Sequence, residues 1–599
     1  MAAGKGDPGR EPVTLVAMNQ DLCTRTYGVA PCLASVGVTG SSKCYNTRKT
    51  CQDVPNYDQS ASTLQLLFVN PEAGPTILPG FGITFLPFLV SVSSSAARIN
   101  VGARPARDGS LGKRASITIT MQDAPHTDNL VDPYLSERTF DPLERSTFWA
   151  KWLARNPYFN GRAIQVITGY LGQIPDEYLT QHYIIDKIEG PDPSGRVTIR
   201  CSDILRLADD NQAKAPELSV GQVWGDFTAG ATFFSVAGDD GTGYAVGDGI
   251  LRVENEVITY ATGTYGAGIW VFSGCARGAR DTEASDHKDG ATVQRCLDVV
   301  DLKAYEVIYA LLTQYAGIQT NWIDLPAWAA EADKWTGNFV LGRLLTTPIG
   351  VAKMIGQICE QSMLYIWWDP EAQKIKLRAV RPALPEELVE ISEDFNLIQG
   401  KSKITVRPEE RLTEVWVSWG LRSPILPEGD RSSYANTRKR ADAAAASDEE
   451  YGQRRVYEIL SPWLISDSQV SPLSYRMLAA YRDNPAYFSG WVDAKDRDIA
   501  PASVVDLTAR AFVDREGAQE ARRFEVIQRE EVIQGEAIRL ELQPSQFTNR
   551  YAYIMADATL DYSDYTAVTR PELGCWFCAP DIAGPAEYFP DGLPPFVFI

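Results

Sequence analysis

The chain has 599 residues, too many for one hydrophobic core, so several domains are expected. With 44% hydrophobic and 22% charged residues its composition is that of a globular protein and excludes a disordered one. A formal charge of −20 argues against a nucleic-acid binder, which needs Lys and Arg to neutralise phosphates, although DNA can pass an acidic surface without being trapped by it.

The first residues, MAAGKGDPGREPVTLVAMNQD, lack the apolar stretch of a secretory signal and end in an extended segment. The most apolar run, TILPGFGITFLPFLVSVSSS, is broken by Pro79, Gly80, Gly82 and Pro87 and reads as strand pieces, so no membrane span is expected. The pattern is that of a protein made in a reducing cytoplasm. From STLQLLFV onward comes a series of strands: ARINVGARP, RASITITMQD, RAIQVITGYL, YLTQHYIIDKIEG and GRVTIRCSD. A helical stretch, DPLERSTFWAKWLARN, interrupts them, with Leu143, Phe148, Trp152 and Leu153 on one face.

Between about 221 and 296, FFSVAG, GILRVENEVITYATG, IWVFSGCARG and ATVQRC are separated by glycine-rich turns, which suggests a small barrel-like insert. DLKAYEVIYALLTQYAG then reads as an amphipathic helix opening at Asp301 and stopping at Gly317, and VAKMIGQICEQS as a second one. MLYIWWDPEAQKIKLRAV reads as two strands around an Asp-Pro turn. From about 401 the chain is β-rich again, through RLTEVWVSWG, ASVVDLTARAFVD and RRFEVIQREEVIQGEAIRLELQ. Within it, residues 437–455 are polar and Ala-rich and read as a surface helix or a mobile excursion, while the proline-rich C-terminus should be extended. The fold class is therefore multidomain, mainly β with an α/β segment.

Four cysteines, Cys23, Cys32, Cys44 and Cys51, stand in a C-x8-C-x11-C-x6-C arrangement with no histidine among them. Four thiolates are the usual ligand set of an iron–sulfur cluster. Zinc also takes four cysteines, but its ribbons supply them as closely spaced pairs, and none is present here. Two disulfides are the third reading, and they need an oxidising compartment. Cys575 and Cys578 form CWFC, half of a metal site or a local disulfide, and Cys201, Cys275, Cys296 and Cys359 read as packed thiols. Catalysis has little support: His126, His182 and His287 are scattered, and no nucleophile, phosphate-loop or dinucleotide signature occurs. No enzymatic activity is expected.

The run CTRTYGVAPC through KCYNTRKTCQD resembles the cysteine segment of the minor tail protein L family of lambda-type phages and the related tail hubs of siphophages and gene transfer agents. GKRASITITMQDAPHTDNLVDPY, RTFDPLERSTFWAKWLARNPYFNGRAIQVITGYLG and YIIDKIEGPDPSGRVTIRCSDILRLAD are similar to that family's segment after the cysteines, and CARGARDTEASDHKDGATV to the tail-tip insert. The resemblance implies a [4Fe-4S] cluster on Cys23, Cys32, Cys44 and Cys51. It implies a structural virion protein, the baseplate or tail-tip hub of a long-tailed phage or phage-like particle. Such a hub is a homotrimer that closes the distal tail tube. Its partners would be the distal tail protein, the tape-measure protein and the central tail-tip or fibre protein, with DNA passing through unbound and no stable membrane insertion. In the L-type proteins the cysteine segment lies in the C-terminal half, whereas here it opens the chain, as in a fusion of that unit with hub domains. The expected units are a cluster-binding segment at 1–85, a hub β-domain with a helical insert at 86–220, the small β-rich insert at 221–297, an α/β domain at 298–400, a second hub β-domain at 401–560 and an extended docking segment at 561–599. A cell-wall polysaccharide hydrolase of the tail tip and a soluble iron–sulfur redox protein are the alternatives.

Overall fold

The structure, a computed structural model, describes residues 10–35, 42–58, 63–72, 85–95, 97–101, 111–336, 339–383, 387–442, 454–481, 484–514, 516–545, 551–552 and 597–598. Cys575, Cys578 and all of the C-terminal segment except a two-residue strand at Val597–Phe598 lie outside the described residues. The expectation of a mainly β, multidomain chain is borne out.

The first sheet has eight strands: β1 (Pro12–Asp21), β2 (Thr63–Val69), β3 (Phe85–Leu86), β4 (Leu89–Ser95), β5 (Ser116–Gln122), β6 (Ala163–Tyr170), β7 (Leu179–Glu189) and β8 (Arg196–Ser202). Their spatial order is β3-β2-β1-β6-β7-β8-β5-β4. The unit expected at 1–85 thus shares one sheet with 86–220, through the pairing of β1 with β6. The reason lies in β1 itself. Val16 and Met18 face one core while Val13 and Leu15 face another, so both sides of this strand must be covered. The sheet curls until β2 and β4 touch, around helix α1 (Phe148–Arg155). Phe148, Trp149 and Trp152 plug the curl, with Trp149 stacked on Phe68 at 5.5 Å. The helix expected from Asp141 starts only at Phe148, because Ser146 takes a left-handed conformation (φ 63°) and separates it from a single turn at Pro142–Glu144.

After a short β9 (Lys214–Ala215), the insert contains β10 (Gln222–Val223), β11 (Phe233–Ala237), β12 (Gly247–Val253), β13 (Glu256–Gly266), β14 (Ile269–Ser273) and β15 (Val293–Arg295), in the order β10-β11-β14-β13-β12-β15. A bridge between Gln222 and Thr292, with Val223 N–H donating to Ala291 O and Val293 N–H to Gly221 O, joins the two ends. The barrel-like insert read from the turns is therefore a closed barrel, filled by Trp270, Phe272, Phe234 and Leu251.

An α/β layer comes next: β16 (Leu297–Lys303), α2 (Ala304–Ala310), α3 (Leu325–Thr336), β17 (Val340–Leu345), β18 (Ile349–Gly350), α4 (Val351–Ser362), β19 (Leu364–Asp369) and β20 (Lys374–Ala379). α2 opens at Ala304 rather than Asp301, because β16 pairs with β17 as far as Lys303, whose backbone N–H is then capped by Glu306. The last sheet contains β21 (Leu388–Ser392), β22 (Lys403–Val406), β26 (Ala486–Asp493), β27 (Val504–Thr508), β28 (Arg522–Ile533) and β29 (Ala537–Pro544). Beside it lie β23 (Glu414–Leu421), β24 (Tyr434–Ala441), β25 (Val456–Ser461) and helix α5 (Asp467–Tyr481). Residues 437–441 are thus strand, not helix, since Thr437 and Arg438 pair with β23. Residues 443–453 of that stretch lie outside the described ones. The first and last sheets are joined by Ile99 N–H donating to Ile527 O at 2.8 Å and by an Arg98–Glu541 ion pair at 2.7 Å.

One histidine has a structural task in the insert. His287, fully buried, lies 2.7 Å from Glu254 and 2.8 Å from Glu256. Glu256 also accepts both arms of Arg277 at 2.7 Å and the N–H groups of Gly278 and Ser285. Burial alone would raise the Glu256 pKa from 4.5, but Arg277, Ser285, His287 and Gly278 outweigh it and hold it at about 2. A carboxyl held below its unfolded value stabilises the folded state fully above pH 4.5, and that stabilisation fades as pH falls towards 2. Replacing Glu256 by Gln leaves Arg277 without its buried counter-charge and should cost about 3–5 kcal/mol. The loss should appear as accelerated amide exchange confined to the barrel strands and should shrink on acidification.

Candidate metal centre

The segment between β1 and β2 contains no long helix or strand among its described residues, only single turns at Arg48–Thr50 and Val54–Asn56. Its shape comes from hydrogen bonds and from what it rests on. Cys23 N–H donates to Asn46 O at 2.7 Å, and the Asn46 amide returns to Cys23 O at 3.3 Å, tying the first cysteine beside the third. Asn46 adopts φ 53°, a left-handed conformation that asparagine tolerates better than most residues. Leu33 N–H donates to Asp53 at 2.6 Å, which brings the loop after Cys32 to the residues after Cys51. Tyr27 donates from its hydroxyl to Gln52 and from its backbone N–H to the Tyr134 hydroxyl, each at 2.8 Å.

The loops are pinned to the first sheet by buried charge. Arg138 is paired with Asp132 through two bonds of 2.7 and 2.8 Å, with the two side chains 0% and 1% exposed. The same guanidinium donates to Lys43 O and Cys44 O at 2.9 and 3.2 Å and lies 4.1 Å from the Tyr45 ring centre. Arg155, the last residue of α1, approaches Tyr45 at 3.9 Å and is itself held by Asp128 at 2.6 Å. Thr47 donates to Arg155 O at 2.8 Å. Tyr45 is therefore clamped between two arginines, and its neighbour Cys44 is fixed with it.

The four thiols are half-buried, and none of the eight described cysteines is in a disulfide. Burial pushes the Cys44 thiol above its usual value; the Asn46 backbone N–H opposes that, and Cys51, Cys32 and Cys23 add to it. Burial likewise raises Cys51, against the Asp53 N–H, which approaches its sulfur at 3.4 Å, and with further rises from Cys23 and Cys32. Cys44 and Cys51 are thus the two thiols raised by burial with a further contribution from the other cysteines. Cys44 and Cys51 each meet a backbone N–H from two residues further on. Thiolates brought together repel, and a cationic centre is what allows several of them to ionise at once. Among the described residues, no three His, Cys, Asp or Glu side chains stand close enough to ligate a single ion. The donor set, all thiolate and supported by N–H groups aimed at sulfur, fits an iron–sulfur centre in its chemistry.

The pattern of spacings does not reveal the residues that hold this arrangement. Arg138 reaches Cys44 across 94 positions of sequence, and nothing near it in the chain marks it. His126 and His182 stand outside the cysteine loops: His126 packs on Phe88 and Phe148, and His182 contacts Gln165.

No protein-family profile matches the chain, and no curated protein matches it. Solved structures similar to it include the tail protein from Neisseria meningitidis MC58, at 11% identity over 76% of this chain and 97% of that one, with a TM-score of 0.35. Prophage tail protein gp18 from Listeria monocytogenes EGD-e is similar at 8% identity over 77% and 89%, with a TM-score of 0.33. A chain of the virion of a native gene transfer agent particle is similar at 14% identity over 58% and 86%, with a TM-score of 0.29. Scores of this size assign no function.

Arg138→Ala should leave the buried Asp132 without its counter-charge, held only by the Tyr134 backbone N–H at 3.0 Å, at a cost of about 3–5 kcal/mol. Limited proteolysis should then cut the 22–58 loops far faster than in the parent while the barrel insert stays intact. Lysine at the same position should not restore resistance, since it has no planar fork to bridge Asp132 and two carbonyls.

Proposed function

We propose that the chain is a structural virion protein, the baseplate or tail-tip hub of a long-tailed phage or phage-like particle. In this reading Cys23, Cys32, Cys44 and Cys51 hold a [4Fe-4S] cluster. The observation that carries it is that all four thiols are free and half-buried on loops with no regular core of their own, in the segment whose sequence resembles the cysteine run of tail-hub proteins. When bound, the cluster supplies iron–thiolate bonds, which serve as folding free energy where apolar burial is scarce. The chain's own residues do the rest. Asn46 and Asp53 present N–H groups to two of the sulfurs, Arg138 and Arg155 hold Tyr45, and α1 ties the loops to the curled sheet. The role is mechanical rather than catalytic.

Three copies around the tail axis would present their β-sheets to the tube above and a threefold tip below. The net charge of −20 suits a lumen through which DNA and a tape-measure protein slide without sticking. The distal tail protein and a central tip or fibre protein are the neighbours this position implies, and the assembled particle is where the chain would reside.

Native mass spectrometry of anaerobically purified chain tests the oligomer, and immunogold labelling of particles tests the place. A trimer, with label confined to the tail's distal end, is expected. A stable monomer together with label on the head or along the tail would overturn the reading.

A further inference from the structure

A cavity of about 370 Å³ lies where the first sheet, the β19–β20 hairpin and the last sheet meet. That volume is within the range of small-molecule sites, about 300–1,000 Å³, and junctions between domains are where such sites tend to form. Tyr183 from β7 and Trp367 from β19 line it, together with Arg529 and Glu531 from β28, Gln534 from the turn after it and Arg497 from the loop after β26.

The polar side chains in this cavity are underused. Arg529 is 9% exposed; among the described residues its guanidinium makes one hydrogen bond, to Glu371 at 3.4 Å, while its Nε and the Nη that lies 3.8 Å from Glu531 make none. Glu531 is 5% exposed and receives Arg497 at 3.3 Å through one oxygen, while its other oxygen has no partner there. Arg497 Nε and Gln534 Oε1 are unpartnered in the same sense. Buried polar atoms in folded proteins are nearly always satisfied, so a cluster of unpartnered donors and acceptors in the wall of one cavity stands out. Arg529 and Glu531 are two residues apart on a strand and so share a face, which sets open donors beside an open acceptor.

The geometry points to this cavity as a binding site for a neutral mono- or disaccharide. A sugar hydroxyl accepts from a guanidinium and donates to a carboxylate at once, and adjacent hydroxyls repeat that pattern along the ring. The arginines already face Glu531 and Glu371, so the ligand need bring no charge of its own. The aromatic residues in the lining offer apolar surface for the C–H face of a pyranose. The site is separate from the cysteine loops and does not depend on their metal.

The test is titration of the full chain with methyl glucoside and with N-acetylglucosamine, read by tryptophan fluorescence and by saturation-transfer NMR, with glycine and inorganic phosphate as controls. Saturable binding of a sugar at concentrations on the order of 1 mM is expected for so small a ligand. Glu531→Gln, shown by its melting curve to be folded, should weaken that binding about tenfold or more. Trp367→Leu, which leaves every charged group in place, should weaken it as well and provides the check should the first variant fail to fold. No saturable signal with either sugar would mean that water alone fills the cavity and would overturn the proposal. Preferential binding of glycine or phosphate would overturn it too.

Discussion

Everything at the cysteine loops depends on one cation removed from water. Arg138 and Asp132 are both sealed from solvent, and an ion pair in that position persists only when its geometry is good and its remaining hydrogen-bonding groups are used. Arg138 meets the condition by donating to the carbonyls of Lys43 and Cys44 and by lying against Tyr45. The pair therefore does more than join two loops: it sets the position of the third cysteine relative to the curled sheet. A second, parallel restraint runs from Asp128 through Arg155 to the other side of Tyr45. The loops are shaped by charge and aromatic contacts, and the thiols they carry are half-buried.

The same economy explains why the first sheet reaches across units that look separate in sequence. β1 is buried on both faces, so it cannot serve as the edge of a small cysteine domain. It must lie between β2 and β6, and the cysteine loops become an excursion from a larger sheet. Rigidity supplied by that sheet and its tryptophan-rich plug is thereby passed to a segment that could not generate it alone.

Much of this was legible in the residues. Alternation of apolar and polar side chains located β5 to β8 and the strands of the insert, because a strand with one wet face must alternate. The glycine-rich turns announced a small closed sheet, and the Asp-Pro pair announced the β19–β20 hairpin. What escaped depends on long-range partners. The start of α1 was set by Ser146, the start of α2 by the pairing of β16, and α5 contains Pro472, which reads locally as a breaker. For the candidate centre, the four cysteines were evident from composition and spacing, but Arg138, Asp132, Arg155 and Asp128 were not. Charged residues in a sequence look alike until the fold shows which of them have lost their water.

That these four thiols hold an iron–sulfur cluster is a claim tested directly by iron and acid-labile sulfide per chain in protein purified without oxygen. The claim predicts about four of each, a broad visible absorption, and loss of both on serine substitution at Cys23, Cys32, Cys44 or Cys51. One zinc per chain, or metal-free protein with the same cysteines joined in disulfides, would contradict it.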